Sequence, residues 1–195
     1  MDYLLREYEE ESEISMSWRL NSPKTLVAAY PLNGHARDVS GYGNHGTWGA
    51  GAVYAAFLKN SLSAGSFNGA TASILCGNVG TVRTLAFWAM PSTPTEELIM
   101  LDAGKDIMVS AGVVTYAGIA ATATYVDGLL TTALADISWQ HVACVLTADC
   151  VAADLRLGTN GVDFGAGRIA GVRAYNVALT WDEVLTLMRA PLPVY

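Results

Sequence analysis

The stretch Thr25–Trp48, TLVAAYPLNGHARDVSGYGNHGTW, decides how the rest of the chain is read. Its apolar opening, Leu26 to Tyr30, predicts a short strand that Pro31 ends. A loop dense in turn-forming residues follows: Asn33-Gly34, Asp38, Ser40-Gly41, Gly43-Asn44 and Gly46. Such residues accept positive φ or hydrogen-bond their own backbone. A loop this long and polar has to satisfy its backbone groups through its own side chains, water or a bound ion.

Outward from that stretch, apolar runs are short and punctuated by turns. Val53 to Leu58 and Ala72 to Cys76 read as strands. Thr81 to Met90, TVRTLAFWAM, is apolar on both alternating sides, which suits a central strand ended by Pro91. Leu98–Leu101 and Ile107–Ser110 follow, joined by a turn at Asp102-Ala103-Gly104-Lys105. Val113–Tyr116 and Ala123–Val126 come next, and Asp127-Gly128 supplies a tight turn. Trp139 to Leu146 predicts a further strand with Ala153–Leu157 pairing beside it, and Gly167 to Asn176 the last one. Thr180 and Glu183 form a capping box. Trp181, Val184, Leu185 and Met188 then give one helical face to pack on the sheets, and Pro191 stops the helix. Many short strands and a single helix point to an all-β fold of two packed antiparallel sheets.

Composition narrows the classes. The chain has 195 residues, 52% hydrophobic and 15% charged, enough for one well-buried domain. A net charge of −7 argues against nucleic acid or an anionic membrane as the main partner. Residues 1–13 hold six acids against one base, Arg6, and so account for −5 of that −7. Residues 1–20 therefore read as an acidic N-terminal arm and residues 21–195 as the domain. Tyr3, Leu4, Leu5, Tyr8 and Ile14 are the arm's candidate anchors on a partner. Acids stand where a signal peptide would have a basic and then an apolar region, so synthesis in a reducing cytoplasm is expected. Cys76, Cys144 and Cys150 are odd in number and lack zinc spacing. Cys144 is most simply a small buried hydrophobe, although Cys144 and Cys150 lie close enough in sequence to close a hairpin. Ile107 to Val126 carries no charge for twenty residues, but its Gly, Thr and Ala content and β-branched residues favour strands over a membrane helix.

The motifs also resemble a known family. Y-P-L-x-G-x-A-x-D-x-S-G-x-G-N-H-G, from Tyr30 to Gly46, is similar to the opening of laminin-G-like domains of the concanavalin A-type lectin and glucanase superfamily. Ser66-Phe67-Asn68-Gly69-Ala70, the strand at Trp88, Trp139-Gln140-His141-Val142 and the run Gly167–Asn176 resemble further family motifs, covering about Thr25 to Arg189. Tyr125-Val126-Asp127-Gly128 departs from it, preceding the Trp139 strand where it more often follows. The resemblance implies a jelly-roll β-sandwich with a short C-terminal helix. It also implies a calcium ion where the opening loop meets the last strand, held by Asp38, Asn44 and carbonyls near Gly41 and Gly43. Ala170 stands where the family usually has a second acid.

Catalysis is not expected. Glycosidases need two carboxylates about 5–9 Å apart. The glucanase spacing E-x-D-x-x-E is missing, Glu96-Glu97 precedes a strand, and Asp182-Glu183 belongs to a helix start. His35, His45 and His141 are scattered and lack zinc spacing. Two non-catalytic readings remain. The preferred one, carried by the family resemblance, is a bacteriophage virion protein, a capsid decoration or tail accessory. It would be anchored by its arm to other subunits and homo-oligomeric, with loops that contact host glycans. The alternative is a carbohydrate-binding, lectin-like module, calcium-assisted, with Tyr42, Trp48 and Tyr54 as sugar-stacking candidates.

Overall fold

The computed structural model describes residues 25–57 and 62–190. The arm residues Tyr3, Leu4, Leu5, Tyr8 and Ile14 lie outside the described residues. Fourteen strands and one helix make up the described chain. In order they are β1 (Leu26–Tyr30), β2 (Thr47–Trp48), β3 (Val53–Phe57), β4 (Leu62–Ser66), β5 (Ile74–Gly77), β6 (Gly80–Pro91) and β7 (Glu96–Asp102). Then come β8 (Lys105–Ser110), β9 (Val113–Ala117), β10 (Ala121–Val126), β11 (Leu129–Leu130), β12 (Gln140–Ala152), β13 (Leu155–Leu157), β14 (Gly167–Tyr175) and α1 (Trp181–Arg189). No helix among the described residues is long and apolar enough to cross a membrane.

All pairings are antiparallel, and they build a two-sheet β-sandwich. One sheet runs β11-β10-β12-β6-β14-β4-β3, and the other β2-β5-β13-β7-β8-β9. The far edge of β14 is shared: β4 takes Arg168 and Ile169, while β1 takes Val172 to Tyr175. Gly171, at φ +57°, sits between the two halves where the register also shifts against β6.

The alternation of β6 explains both layers of the core. Leu85, Phe87 and Ala89 point between the sheets, joining Ile99, Leu101, Ile107, Leu146, Leu155 and Ile169. Ala86 joins Leu26, Ala29, Ala143 and Tyr175 on the outer face, which α1 covers with Val184 and Leu187. A strand buried on both faces has no polar side to show, as its sequence implied. Cys76, Cys144 and Cys150 are all unpaired and buried. Burial raises the Cys76 and Cys144 thiols to about 12.

Two expectations need correcting. Ala153–Leu157 does not pair with the strand before it. β12 runs on to Ala152, and β13 crosses to the other sheet to lie between β5 and β7, because its alternating Leu155 and Leu157 fill the inter-sheet core. The packed face of α1 is centred on Glu183, Val184 and Leu187 and not on Trp181. Trp181 turns sideways, 51% exposed, because its Nε1–H finds the Gly128 carbonyl at 2.8 Å. The capping box itself is present, Thr180 and Glu183 each satisfying the other's backbone amide.

Candidate functional site

Two adjacent features occupy the start of the sandwich: the opening loop and the edge that follows it. Asp38 holds the loop. Its Oδ1 accepts the amides of Ala29 and Ser40, both at 2.9 Å, and its Oδ2 accepts that of Asn44 at 3.0 Å. The residue is 6% exposed, and three amides aimed at one carboxylate offset the cost of burying its charge. Around it, the Tyr30 hydroxyl donates to the Asn44 carbonyl at 2.7 Å, Gly46 N–H to Ala36 O, and Ser40 Oγ to Val27 O. Gly34, Gly41 and Gly43 take positive φ as the tight path requires.

This chemistry bears on the calcium site. Calcium takes six to eight oxygens, several of them carboxylate. Asp38 is the loop's one carboxylate and both its oxygens face backbone amides, while the Asn44 carbonyl already serves Tyr30. Ala170 is buried at the neighbouring position on β14. No group of three or more His, Cys, Asp or Glu side chains is arranged to hold a metal among the described residues. The residues as placed do not fit calcium: Asp38 and Asn44, expected as ligands, close the loop themselves.

The edge differs. β2 ends the six-stranded sheet and β3 ends the eight-stranded one, so both are edge strands. Trp48 on β2 and Tyr54 on β3 meet between these two edges, ring centroids 4.6 Å apart and planes at 76°, an edge-to-face pair. Tyr54 stands opposite Gly65, which has no side chain to cover it, and is 52% exposed. The Trp48 Nε1–H is buried without a hydrogen-bond partner among the described residues. The turn joining the two aromatics is fixed from below: Gly49 N–H donates to Ser73 O at 2.7 Å. A Cβ on Gly51 would lie 2.6 Å from Asn68 Nδ2 and 2.8 Å from Thr71 Oγ1. Asn68 Oδ1 in turn accepts the amides of Ala70, Thr71 and Ala72.

Of the three sequence candidates for sugar stacking, Trp48 and Tyr54 are brought together. Tyr42 is exposed on the Asp38 loop, its amide on Ser40 Oγ at 3.3 Å. Asn68 and Thr71, the polar pair beneath the edge, were not singled out. Asn68 entered the sequence reading only within the Ser66–Ala70 family motif, where nothing pointed to a site. The acids considered for catalysis have structural contacts. Glu96 is buried and accepts the Thr93 hydroxyl and the Ala166 amide. Glu183 serves the helix cap. Glu97 is the acid held above its usual range, by burial first and then by Asp106, Asp163 and Glu96.

No protein-family model matches the sequence, and no curated protein matches it. Solved structures do. Domain 4 of AbnA, a GH43 extracellular arabinanase from Geobacillus stearothermophilus in complex with arabinotriose, superposes with a TM-score of 0.62 at 20% identity. That match covers 85% of this chain and 100% of the arabinanase domain. The likeness is one of fold. The binding domain of Paraclostridial Mosquitocidal Protein 1 gives a TM-score of 0.58 at 14% identity, over 85% of this chain and 52% of that one. The Botulinum Neurotoxin Type G receptor binding domain gives 0.57 at 12%, over 84% and 51%. This chain thus spans about half the length of the two toxin domains.

Proposed function

We propose that this chain is a non-catalytic binding module whose ligand is a carbohydrate, held at the open edge by Trp48 and Tyr54. The observation that carries the reading is the aromatic pair itself. A half-exposed tyrosine ring set edge-to-face against an indole offers an apolar face, and the turn between the two rests at Gly51 on the polar Asn68 and Thr71 side chains. Sugars have that same division between C–H faces and hydroxyls. The arabinanase domain of the same fold, solved with arabinotriose, supports the class of ligand. Calcium plays no part in this reading, because the Asp38 loop is closed by its own amides.

Calorimetric titration of the chain with arabinotriose and a panel of neutral oligosaccharides, with and without EDTA, tests it. Binding that Tyr54→Ala weakens and EDTA leaves alone supports the proposal. Binding that survives both Trp48→Ala and Tyr54→Ala defeats the assignment to this edge.

A second reading has its own observation. The Trp181 indole, tied to Gly128, lies beside Leu129 and Leu130, and all three are exposed. An apolar group of this kind marks protein contact. It fits a subunit of an assembly, such as a bacteriophage capsid decoration or tail accessory, anchored through residues 1–20. Light scattering on the full chain and on one lacking residues 1–20 decides it: an oligomer that becomes a folded monomer on truncation supports the assembly, and two monomers reject self-association through the arm.

A further inference from the structure

The Asp38 loop has an outward side that its inner bonds leave unused. Arg37 lies between two imidazoles there. Its own amide donates to His35 Nδ1 at 3.3 Å, and the next amide, that of Asp38, donates to His45 Nδ1 at 3.2 Å. A neutral imidazole that accepts at Nδ1 carries its proton on Nε2. Both rings therefore carry an Nε2–H, on the nitrogen that the backbone does not use.

The guanidinium is free to use them. Arg37 is exposed and, like Arg168 and Arg189, has no acid partner among the described residues, whereas Arg83, Lys105 and Arg156 pair with Asp149, Asp102 and Asp154. The neighbouring carboxylate, Asp38, is turned inward onto three amides and is not at the surface. An unpaired cation flanked by two further donors is unexpected on a chain of net charge −7. Tyr42, 54% exposed, belongs to the same loop and adds an aromatic face. Gly46 N–H, bonded to Ala36 O at 2.7 Å, closes the loop directly before β2. Only two residues separate His45 from Trp48, at most about 10 Å of extended chain.

We propose that this loop is a second subsite of the same module, one that takes the carboxylate of an acidic sugar. The Arg37 fork grips the two carboxylate oxygens, the His35 and His45 Nε2–H groups donate from either side, and Tyr42 lies against the sugar ring. The planar guanidinium matches a planar carboxylate in two parallel bonds, which a lysine would not do. One oligosaccharide then spans Trp48 and Arg37. The inference rests on the carbohydrate reading above.

The test is calorimetry of the full chain at fixed ionic strength with three ligands: trigalacturonic acid, arabinotriose and a sulfated disaccharide. The acidic trisaccharide is expected to bind about tenfold more tightly than the neutral one, as charge-assisted bidentate bonds imply. Arg37→Gln, at an exposed position and with an unchanged melting temperature, brings the acidic sugar down to the neutral one's affinity. His45→Gln keeps an acceptor for the Asp38 amide and gives a partial loss. Equal affinity for acidic and neutral sugars, or a preference that Arg37→Gln retains, overturns the subsite and leaves the carbohydrate reading standing. A sulfated sugar bound as tightly as the carboxylate overturns the choice of group. Failure of every sugar to bind overturns both readings.

Discussion

The loop around Asp38 and the edge at Trp48 are neighbours in sequence, yet they treat polar atoms in opposite ways. In the loop the carboxylate meets three amides, the Tyr30 hydroxyl meets a carbonyl, and the imidazoles of His35 and His45 each accept an amide. At the edge an indole N–H is buried with no partner among the described residues and a tyrosine stands half in solvent. Unpaired buried donors cost folding free energy and persist where something else compensates them. The inward side of the loop holds the fold, and the edge carries the open polar atom beside the ring on which the proposed ligand site rests.

The strongest way to break that comparison is Asp38→Ala. It leaves three buried amides without an acceptor and is expected to cost about 3–5 kcal/mol in denaturant unfolding. A loss under 1 kcal/mol would mean the loop is not held as described. Tyr54→Ala is the contrasting change. It should cost about 1 kcal/mol or less in stability, because half of the ring is already in water, yet lower sugar affinity about tenfold in calorimetry.

Asp106 sharpens the contrast on the other sheet. It is 5% exposed, its Oδ1 has no hydrogen-bond partner among the described residues, and burial raises its pKa. A carboxyl whose folded pKa lies above its unfolded one favours the native state at low pH. That advantage is lost as pH rises from about 4 through the folded value. Asp106→Asn should therefore raise the melting temperature at neutral pH by about 2–4 °C, with the gain vanishing below about pH 4. Melting scans at several pH values check this. The smallest effect expected is none: EDTA or added calcium leaves the melting temperature within error, since the Asp38 loop needs no ion. A calcium-dependent rise would reverse the reading of that carboxylate.

The parts of the fold legible in the sequence share a local cause. β6 was readable because alternation with two apolar sides is a property of consecutive residues. The Thr180–Glu183 box was readable because both partners lie within one helical turn. What was missed depends on distant contacts. The place of β13 between β5 and β7 is set by pairing with residues far away in the chain. The sideways turn of Trp181 comes from a carbonyl at Gly128, 53 residues off. β11 was missed because Leu129 and Leu130 are apolar and exposed, the opposite of what periodicity assumes. At the candidate site, Trp48 and Tyr54 were named as aromatic types. Their meeting between the two sheets follows only from β2 and β3 each being an edge.

The shared edge of β14 also sets a schedule for a chain made from its N-terminus. Leu26 pairs with Tyr175 and Ala28 with Ala174, so β1 has no strand to join until nearly the whole domain has been synthesised. β6 likewise waits for both its neighbours, β12 and β14. Until then two strands apolar on both sides stand open, with contacts that close loops of about 140–150 residues for β1 and about 50–90 residues for β6. Loss of the last strand would strand both, and the nascent domain depends on finishing translation before it can hide its most adhesive surfaces.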